Sequence, residues 1–496
     1  MPSTFLSKGH YAASLQCDRR GWQQVRAPER AAPADAGQLE RLRQGREVGK
    51  LAWALFPGGR EVSAHSFEAA CSETRALLEH GGPLFEAAFE VEDLRVRVDV
   101  LERLADGRFS LSEIKSSTAL RDEHLDDASF QYWALTRAGI EVSKVEIITL
   151  AADYEAGALT IDPRALLARR EVTDDVRFLA ADLDEHMAEV RQRLAAADPF
   201  SVAGRQCVRP HRCEFWDYCH RGLPPDSLAN LPRLSDSMRA ELDDAGVERI
   251  ADIPDETSLN PVQQRVRTAL KRGQVIAEED LVERLAPLRA LENSVYYLDF
   301  ESWAPAIPRF ARVRPYEPLP FQWSCHERTP RGDLRHREFL ISDAGDPREA
   351  FSRSLIRQLA HTTGPIAVYS NFEASVLGIL AERLPDLREP LDAIRRRLFD
   401  LLVLVRESVY HPAFAGSFSL KRVGPALSPG FSYADLDGIS EGGAAAAAGR
   451  TLMLEEQDPA ARDALRASLR AYCERDTLAL VELHAALDKL ANQVPV

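Results

Sequence analysis

The sequence predicts an α/β protein built from two unlike α/β domains joined by a small helical segment. Three observations predict it. Strand-like alternation bounded by turn signals occurs twice, over 83–115 and again from 294, and helical patterns follow each time. Each strand cluster carries acidic side chains on an otherwise apolar row, so two chemical sites are expected. Between them, residues 223–290 show short helical patterns only. A chain of 496 residues is too long for one core. The expected boundaries are 1–222, 223–290 and 291–496, and no internal repeat relates the two ends.

Composition is that of an ordinary globular protein, with 45% hydrophobic and 28% charged residues. No run of about 18 apolar residues occurs, so neither a membrane span nor a membrane partner is expected. MPSTFLSKGHYAASLQ lacks a basic stretch followed by an apolar core, so it does not read as a secretory signal, and the cytoplasm is the expected location. The net charge of −15 counts against tight, non-specific DNA binding, although a basic groove can coexist with an acidic surface.

The elements follow in order. QLERLRQGREVGKLAWAL has helical spacing and ends at Pro57-Gly58-Gly59, and 67–80 reads as another helix. PLFEAAFEVE, DLRVRVDVLERL and RFSLSEIKSS read as strands, with a hairpin at Asp106-Gly107. Residues 121–138 read as a helix, 144–152 as a buried strand and 174–196 as a long charged helix. Two short helical patterns around Asp244-Ala245-Gly246 look like a helix–hairpin–helix module, or equally a plain helical linker. SVYYLDFES, PYEPLPFQWSCH, RHREFLIS and PIAVYSN read as strands, and 372–384 and 457–492 as helices.

Glu113 and Lys115 share one strand face with Phe109 and Leu111. Unpaired charge on such a row is costly. A divalent ion held by Asp99 and Glu113 supplies the reason, with Lys115 orienting water or stabilising charge on a phosphate. A strict two-residue turn would pair Asp99 with Ile114 and put it on the wrong face. A three-residue loop with Gly107 left-handed, or one bulge, is therefore expected. Taken alone, this triplet also fits a solvent-facing hairpin.

Four cysteines enclose this segment: Cys17 before it, and Cys207, Cys213 and Cys219 after it. Clustered thiols in a reducing compartment more often bind metal than form disulfides. His211 and His220 are close enough to serve in a zinc site. Cys71, Cys325 and Cys473 are expected only to pack. The region resembles the RecB-like branch of the PD-(D/E)xK nucleases, and most of all its iron–sulfur members. The resemblance implies Asp99, Glu113 and Lys115 as the core site, Glu47 as an accessory acid, and Cys17, Cys207, Cys213 and Cys219 as ligands of a [4Fe–4S] cluster. The family's Gln-x-x-x-Tyr is altered here, with Gln131 followed by Leu135 and Tyr132 adjacent to it.

In the second cluster Asp299 and Glu301 share a strand face, and Tyr472 and Asp476 stack four apart on an amphipathic helix. Asp-x-Glu on a first strand and Tyr-x-x-x-Asp on a last helix resemble the DnaQ-like 3′–5′ exonucleases of the ribonuclease H fold. The resemblance implies Asp299, Glu301 and Asp476 as Mg²⁺ or Mn²⁺ ligands and Tyr472 as the residue positioning water. Glu373, in YSNFE, stands for the middle acid, with Asp400 as fallback, and Lys421 and Arg422 are candidates for backbone contacts. The DFE, PFQWS, YHP and Tyr472-Cys473 motifs also resemble an uncharacterised bacterial family of unknown function that joins the two domain types.

The expected fold class is thus α/β, a PD-(D/E)xK restriction-endonuclease-like domain plus a ribonuclease H-like (DnaQ-type) domain. The expected function is a metal-dependent nuclease acting on nucleic acid, DNA ends or single strands before RNA, in DNA processing or repair. An RNA exonuclease and a nucleic-acid-binding scaffold with degenerate sites remain the alternatives. No P-loop is present, so a helicase or repair partner would supply any unwinding.

Overall fold

A computed structural model describes residues 5–157, 160–199, 203–289, 292–436 and 438–493. It is mixed α/β with separate sheets. The chain forms two compact units. One comprises Met1–Ala34, Gln38–Arg221 and Pro305–Glu317; the other comprises Asp35–Gly37, Gly222–Ala304 and Pro318–Val496. Among the described residues no helix is long and apolar enough to cross a membrane.

The first unit holds one sheet of seven strands: β1 (Leu6–Ser7), β2 (Arg60–Glu61), β3 (Leu84–Val91), β4 (Leu94–Arg103), β5 (Phe109–Ile114), β6 (Val142–Leu150) and β7 (Leu167–Glu171). Their order is β2-β3-β4-β5-β6-β7, with β1 beside β4. The β3-β4-β5 meander is antiparallel, whereas β6 runs parallel to β5. A parallel pair needs a crossover, and the helix Asp122–Arg137 provides it. Its Phe130 and Trp133 pack into the same apolar core as Val96, Leu101 and Leu111 from the sheet and Met187.

The β4–β5 hairpin has the three-residue loop the acid placement required. Leu104 N–H donates to Arg108 O at 2.7 Å and Gly107 N–H to Leu104 O at 3.0 Å. Gly107 takes φ +88°, which an L side chain adopts only under strain. Two elements differ from expectation. The helix expected over 174–196 is two, Thr173–Ala180 and Leu183–Ala195. The second pattern after Gly246 closes only a 3₁₀ turn, Ile250–Asp252, because Pro254 follows too soon for a helix.

The second unit is built on a five-stranded sheet, after a short ribbon strand β8 (Ile276–Ala277). Its strands are β9 (Val295–Trp303), β10 (Leu319–Arg328), β11 (Leu334–Leu340), β12 (Ile366–Val368) and β13 (Leu398–Asp400); β14 (Val409–Tyr410) closes the ribbon with β8. The order is β11-β10-β9-β12-β13, antiparallel across β9, β10 and β11 and parallel from β9 to β13. Leu298 and Phe300 face Phe351, Leu380 and Leu391 of helices on one side. Tyr297 faces Leu480 and Leu483 of the long helix Pro459–Ala491 on the other. Leu242, Ile250 and Val266, from the segment read as a separate helical module, lie in that same core.

Polar contacts fasten the long helix to β10. Gln322 Nε2 donates to Leu469 O at 3.0 Å, and Thr477 Oγ1 meets Ser324 Oγ at 2.8 Å and His326 Nδ1 at 2.9 Å. All four side chains are buried, so each unmade bond would cost about 1–3 kcal/mol. The alanine run 442–449 lies within a helix, Gly442–Leu454, as its high helix propensity dictates. A Cβ at Gly449 would come within 2.1 Å of the Phe321 ring, so glycine there permits the close approach to β10.

Candidate functional site

In the first unit, register sets the site. Val100 pairs with Ser112, so Asp99 stands opposite Glu113 on the neighbouring strand. Phe85 and Ala87 pair with Val100 and Val98, leaving Glu86 across from Asp99. Glu86 takes φ +57°, a local twist that sequence periodicity does not report. Three carboxylates thus lie across β3, β4 and β5.

Glu113 is 1% exposed and fully occupied. Lys8 Nζ donates to its Oε1 at 2.6 Å and Lys115 Nζ reaches the same oxygen at 2.8 Å. Gln131 Nε2 donates to Oε2, and Lys115 also pairs with Asp127. Burial pushes the Glu113 carboxyl up, but Lys115 and Lys8 outweigh it and hold it far below the usual carboxylate range. The Asp99 carboxyl is pushed up to about 7 by burial and by the Glu113 charge. Its Oδ2 accepts from Ile114 N–H at 2.7 Å. Glu47, the proposed accessory acid, instead carries Arg43 and, at 2.6 Å, Arg309.

The cysteines converge. Cys17 lies between the helices Lys8–Gln16 and Asp18–Arg26. Cys17, Cys207, Cys213 and Cys219 all line one small cavity walled by Phe215 and Trp216. Gly204 N–H points at Cys207 Sγ at 3.5 Å and Phe215 N–H at Cys213 Sγ at 3.4 Å. Burial raises the Cys207 thiol and pushes the Cys213 thiol up to about 11. The two histidines are turned to other partners. His220 stacks on Trp216 with its Nδ1 at 2.9 Å from Trp216 O, and His211 faces Glu123 at 3.7 Å.

In the second unit the acids converge from three elements. Asp299 and Glu301 come from β9, Glu373 from the first turn of the helix Phe372–Arg383, and Asp476 from the helix Pro459–Ala491. Burial, then the neighbouring Asp476 charge, then Glu301 and Glu373 push the Asp299 carboxyl well above its ordinary value. Glu301 is raised for the same reasons, pulled back only by Lys421. Glu373 is pushed up to about 7 by burial and then by Asp400. Asp476 is raised by burial, with the Tyr433 and Tyr472 hydroxyls and Lys421 drawing it back. Asp400, the fallback acid, caps a helix through Leu402 N–H at 2.8 Å.

Lys421 Nζ donates to the Tyr472 hydroxyl at 3.1 Å and lies over both the Tyr472 and Tyr433 rings. Cys473, expected only to pack, has its Sγ 3.5 Å from Asp299 Oδ2. Asp299, Glu301 and Cys473 offer ligand atoms within 4.8 Å of one another. Leu469, Tyr472, Cys473, Asp476 and Leu480 follow i, i+3, i+4 spacing, so the sequence did carry a signal for Cys473. Lys8 carried none, being 105 residues from Glu113.

A family model described as "Domain of unknown function (DUF2779)" matches residues 296–419. That stretch includes Asp299, Glu301 and Glu373 and stops short of Tyr472 and Asp476. Comparison with curated proteins returns no match. The match brings no activity with it.

Proposed function

We propose that the chain is a metal-dependent nuclease acting on nucleic acid, with DNA ends or single strands as substrate, in DNA processing or repair. On this reading the second unit is a ribonuclease H-like domain of the DnaQ exonuclease type. The first is a RecB-like PD-(D/E)xK domain with a [4Fe–4S] cluster on Cys17, Cys207, Cys213 and Cys219. One observation carries it: Asp299 and Glu301 lie close together in buried ground, both under the charges of Asp476 and Glu373, with Lys421 drawing on Glu301 and Asp476. Buried like charges repel, and carboxyl oxygens suit Mg²⁺ or Mn²⁺. A divalent ion supplies charge opposite the attacking and leaving oxygens of a phosphodiester. On this reading Tyr472, whose hydroxyl accepts from Lys421, orients water, and Lys115 meets charge developing on a phosphate.

The strand orders support both domain readings. β11-β10-β9-β12-β13 is the arrangement the ribonuclease H reading needs, with the Asp-x-Glu strand central. The β3-β4-β5 meander followed by a crossover helix and a parallel β6 fits the other. The lining of one small cavity by all four cysteines supports the cluster reading.

The test is cleavage of end-labelled single- and double-stranded DNA and RNA by anaerobically purified protein with Mg²⁺ or Mn²⁺. Asp299→Ala and Lys115→Ala run beside wild type. Loss of cleavage in either variant supports the reading and assigns the chemistry to a unit; preference for RNA moves the substrate to the alternative class. A cluster-loaded wild type that cuts nothing contradicts it and favours a binding scaffold, a reading the ion-paired Glu113 already supports for the first unit.

A further inference from the structure

Lys8 has no place in the site described from sequence, yet it makes one of its closest contacts. The helix Lys8–Gln16 is fixed at its start in three ways. β1 pairs with β4 at Leu94 and Arg95, Ser7 caps the helix by accepting from His10 N–H, and Tyr11 stacks on Phe130 at 5.4 Å. It is fixed at its other end by Gln16, whose Nε2 donates to Gln206 O at 2.6 Å and His211 O at 2.8 Å, and by Cys17 in the cysteine cavity. Nine residues of helix span about 13 Å. The helix is therefore a strut between the cysteine set and the first carboxylate site.

Two ammonium groups on one carboxylate oxygen is more cation than Glu113 requires. Among the described residues Glu113 is the one ion-pair partner of Lys8, whereas Lys115 also holds Asp127. A divalent ion drawing on Glu113 would leave Lys115 its ion pair with Asp127 and leave Lys8 without one, with Asp127 and Asp99 attracting it only from further off. Lys8 is also the more open of the two, its side chain 28% exposed against 18%. It lines a cleft of mixed charge, with Lys115, Arg20 and Arg121 on one hand and Asp122, Glu123, Asp126 and Asp127 on the other.

We propose that Lys8 is a phosphate-binding residue of the first site, resting on Glu113 until a nucleic-acid strand enters that cleft and then holding a phosphate of its backbone. This rests on the nuclease reading above and adds a strand-binding role for one residue. A lysine contact to a phosphate releases counter-ions, so it has a signature that a purely structural lysine lacks.

The test uses the full chain, purified anaerobically, and a fluorescein-labelled single-stranded DNA oligonucleotide, with Ca²⁺ in place of Mg²⁺. Anisotropy gives Kd across a salt series. Lys8→Ala should weaken binding roughly tenfold at low salt, the worth of one charged contact. It should also make the slope of log Kd against log salt shallower by about 0.7. Lys8→Arg should keep the wild-type slope. Should the alanine variant fail to fold, Lys8→Met, which retains the stem, gives the same readout. A wild-type slope in the folded neutral variant overturns this inference alone. A wild type that binds no strand overturns it together with the nuclease reading.

Discussion

The two carboxylate sites solve the same electrostatic problem in opposite ways. In the first unit Glu113 is answered by Lys8 and Lys115, and Asp127 by Lys115 in turn, while burial and the Glu113 charge leave Asp99 raised. In the second, burial raises all four acids, Asp476 and Glu373 push Asp299 and Glu301 further upward, and Lys421 only partly offsets this at Glu301 and Asp476. Burial is similar, so the difference lies in the cations that tertiary structure delivers. A satisfied cluster stabilises its fold and yields its oxygens reluctantly; an unsatisfied one strains its fold and favours a divalent ion.

The sharpest way to break this comparison is to make the same change in both units. Glu113→Gln leaves two lysines facing a neutral amide and should destabilise the first unit by about 3 kcal/mol, read by denaturant unfolding. Asp299→Asn removes a repelling buried charge and should stabilise the metal-free second unit at pH 8 by on the order of 1 kcal/mol. Equal signs for the two variants would show that the sites do not differ as described. Mn²⁺ at about 100 times its Kd should add about 2.7 kcal/mol to the wild type. Asp299→Asn or Asp476→Asn should lose most of that gain.

Thr477→Val tests how the site is held. It removes the bonds to Ser324 and His326 one residue from Asp476, and should cost about 1–2 kcal/mol while weakening Mn²⁺ binding. Stability should also depend on pH. Asp99 and Glu373 both have native carboxyl pKa values pushed up to about 7, above the ordinary range near 4. The native state therefore binds more protons than the unfolded chain between those limits. Their contribution to stability is full in acid and is lost as pH rises through about 7. Thermal melts of metal-free protein from pH 5 to 8 should show that fall, and Mn²⁺ should flatten the part due to Glu373.

The parts of both sites that periodicity governs were legible in the sequence. Asp299 and Glu301 alternate on a strand, and Tyr472 and Asp476 repeat on a helix. The need to set Asp99 opposite Glu113 demanded the loop at Gly107, which is there. Lys8 and Glu86 were not legible. Lys8 arrives by a long-range packing of helix on sheet, and Glu86 by a left-handed residue inside a strand. Glu47 was expected as an accessory acid from the family resemblance, and a resemblance does not say which arginines it meets. The break at Ala181-Asp182 lacks Pro or Gly to announce it.

The central claim is that the second unit's acids, not the first's, are the stronger divalent-cation site. Titrating the full chain with Mn²⁺ and counting bound ion by electron paramagnetic resonance tests it directly. The tightest binding should vanish in Asp299→Asn and persist in Glu113→Gln. Tight binding that survives Asp299→Asn and disappears with Glu113→Gln would contradict the account.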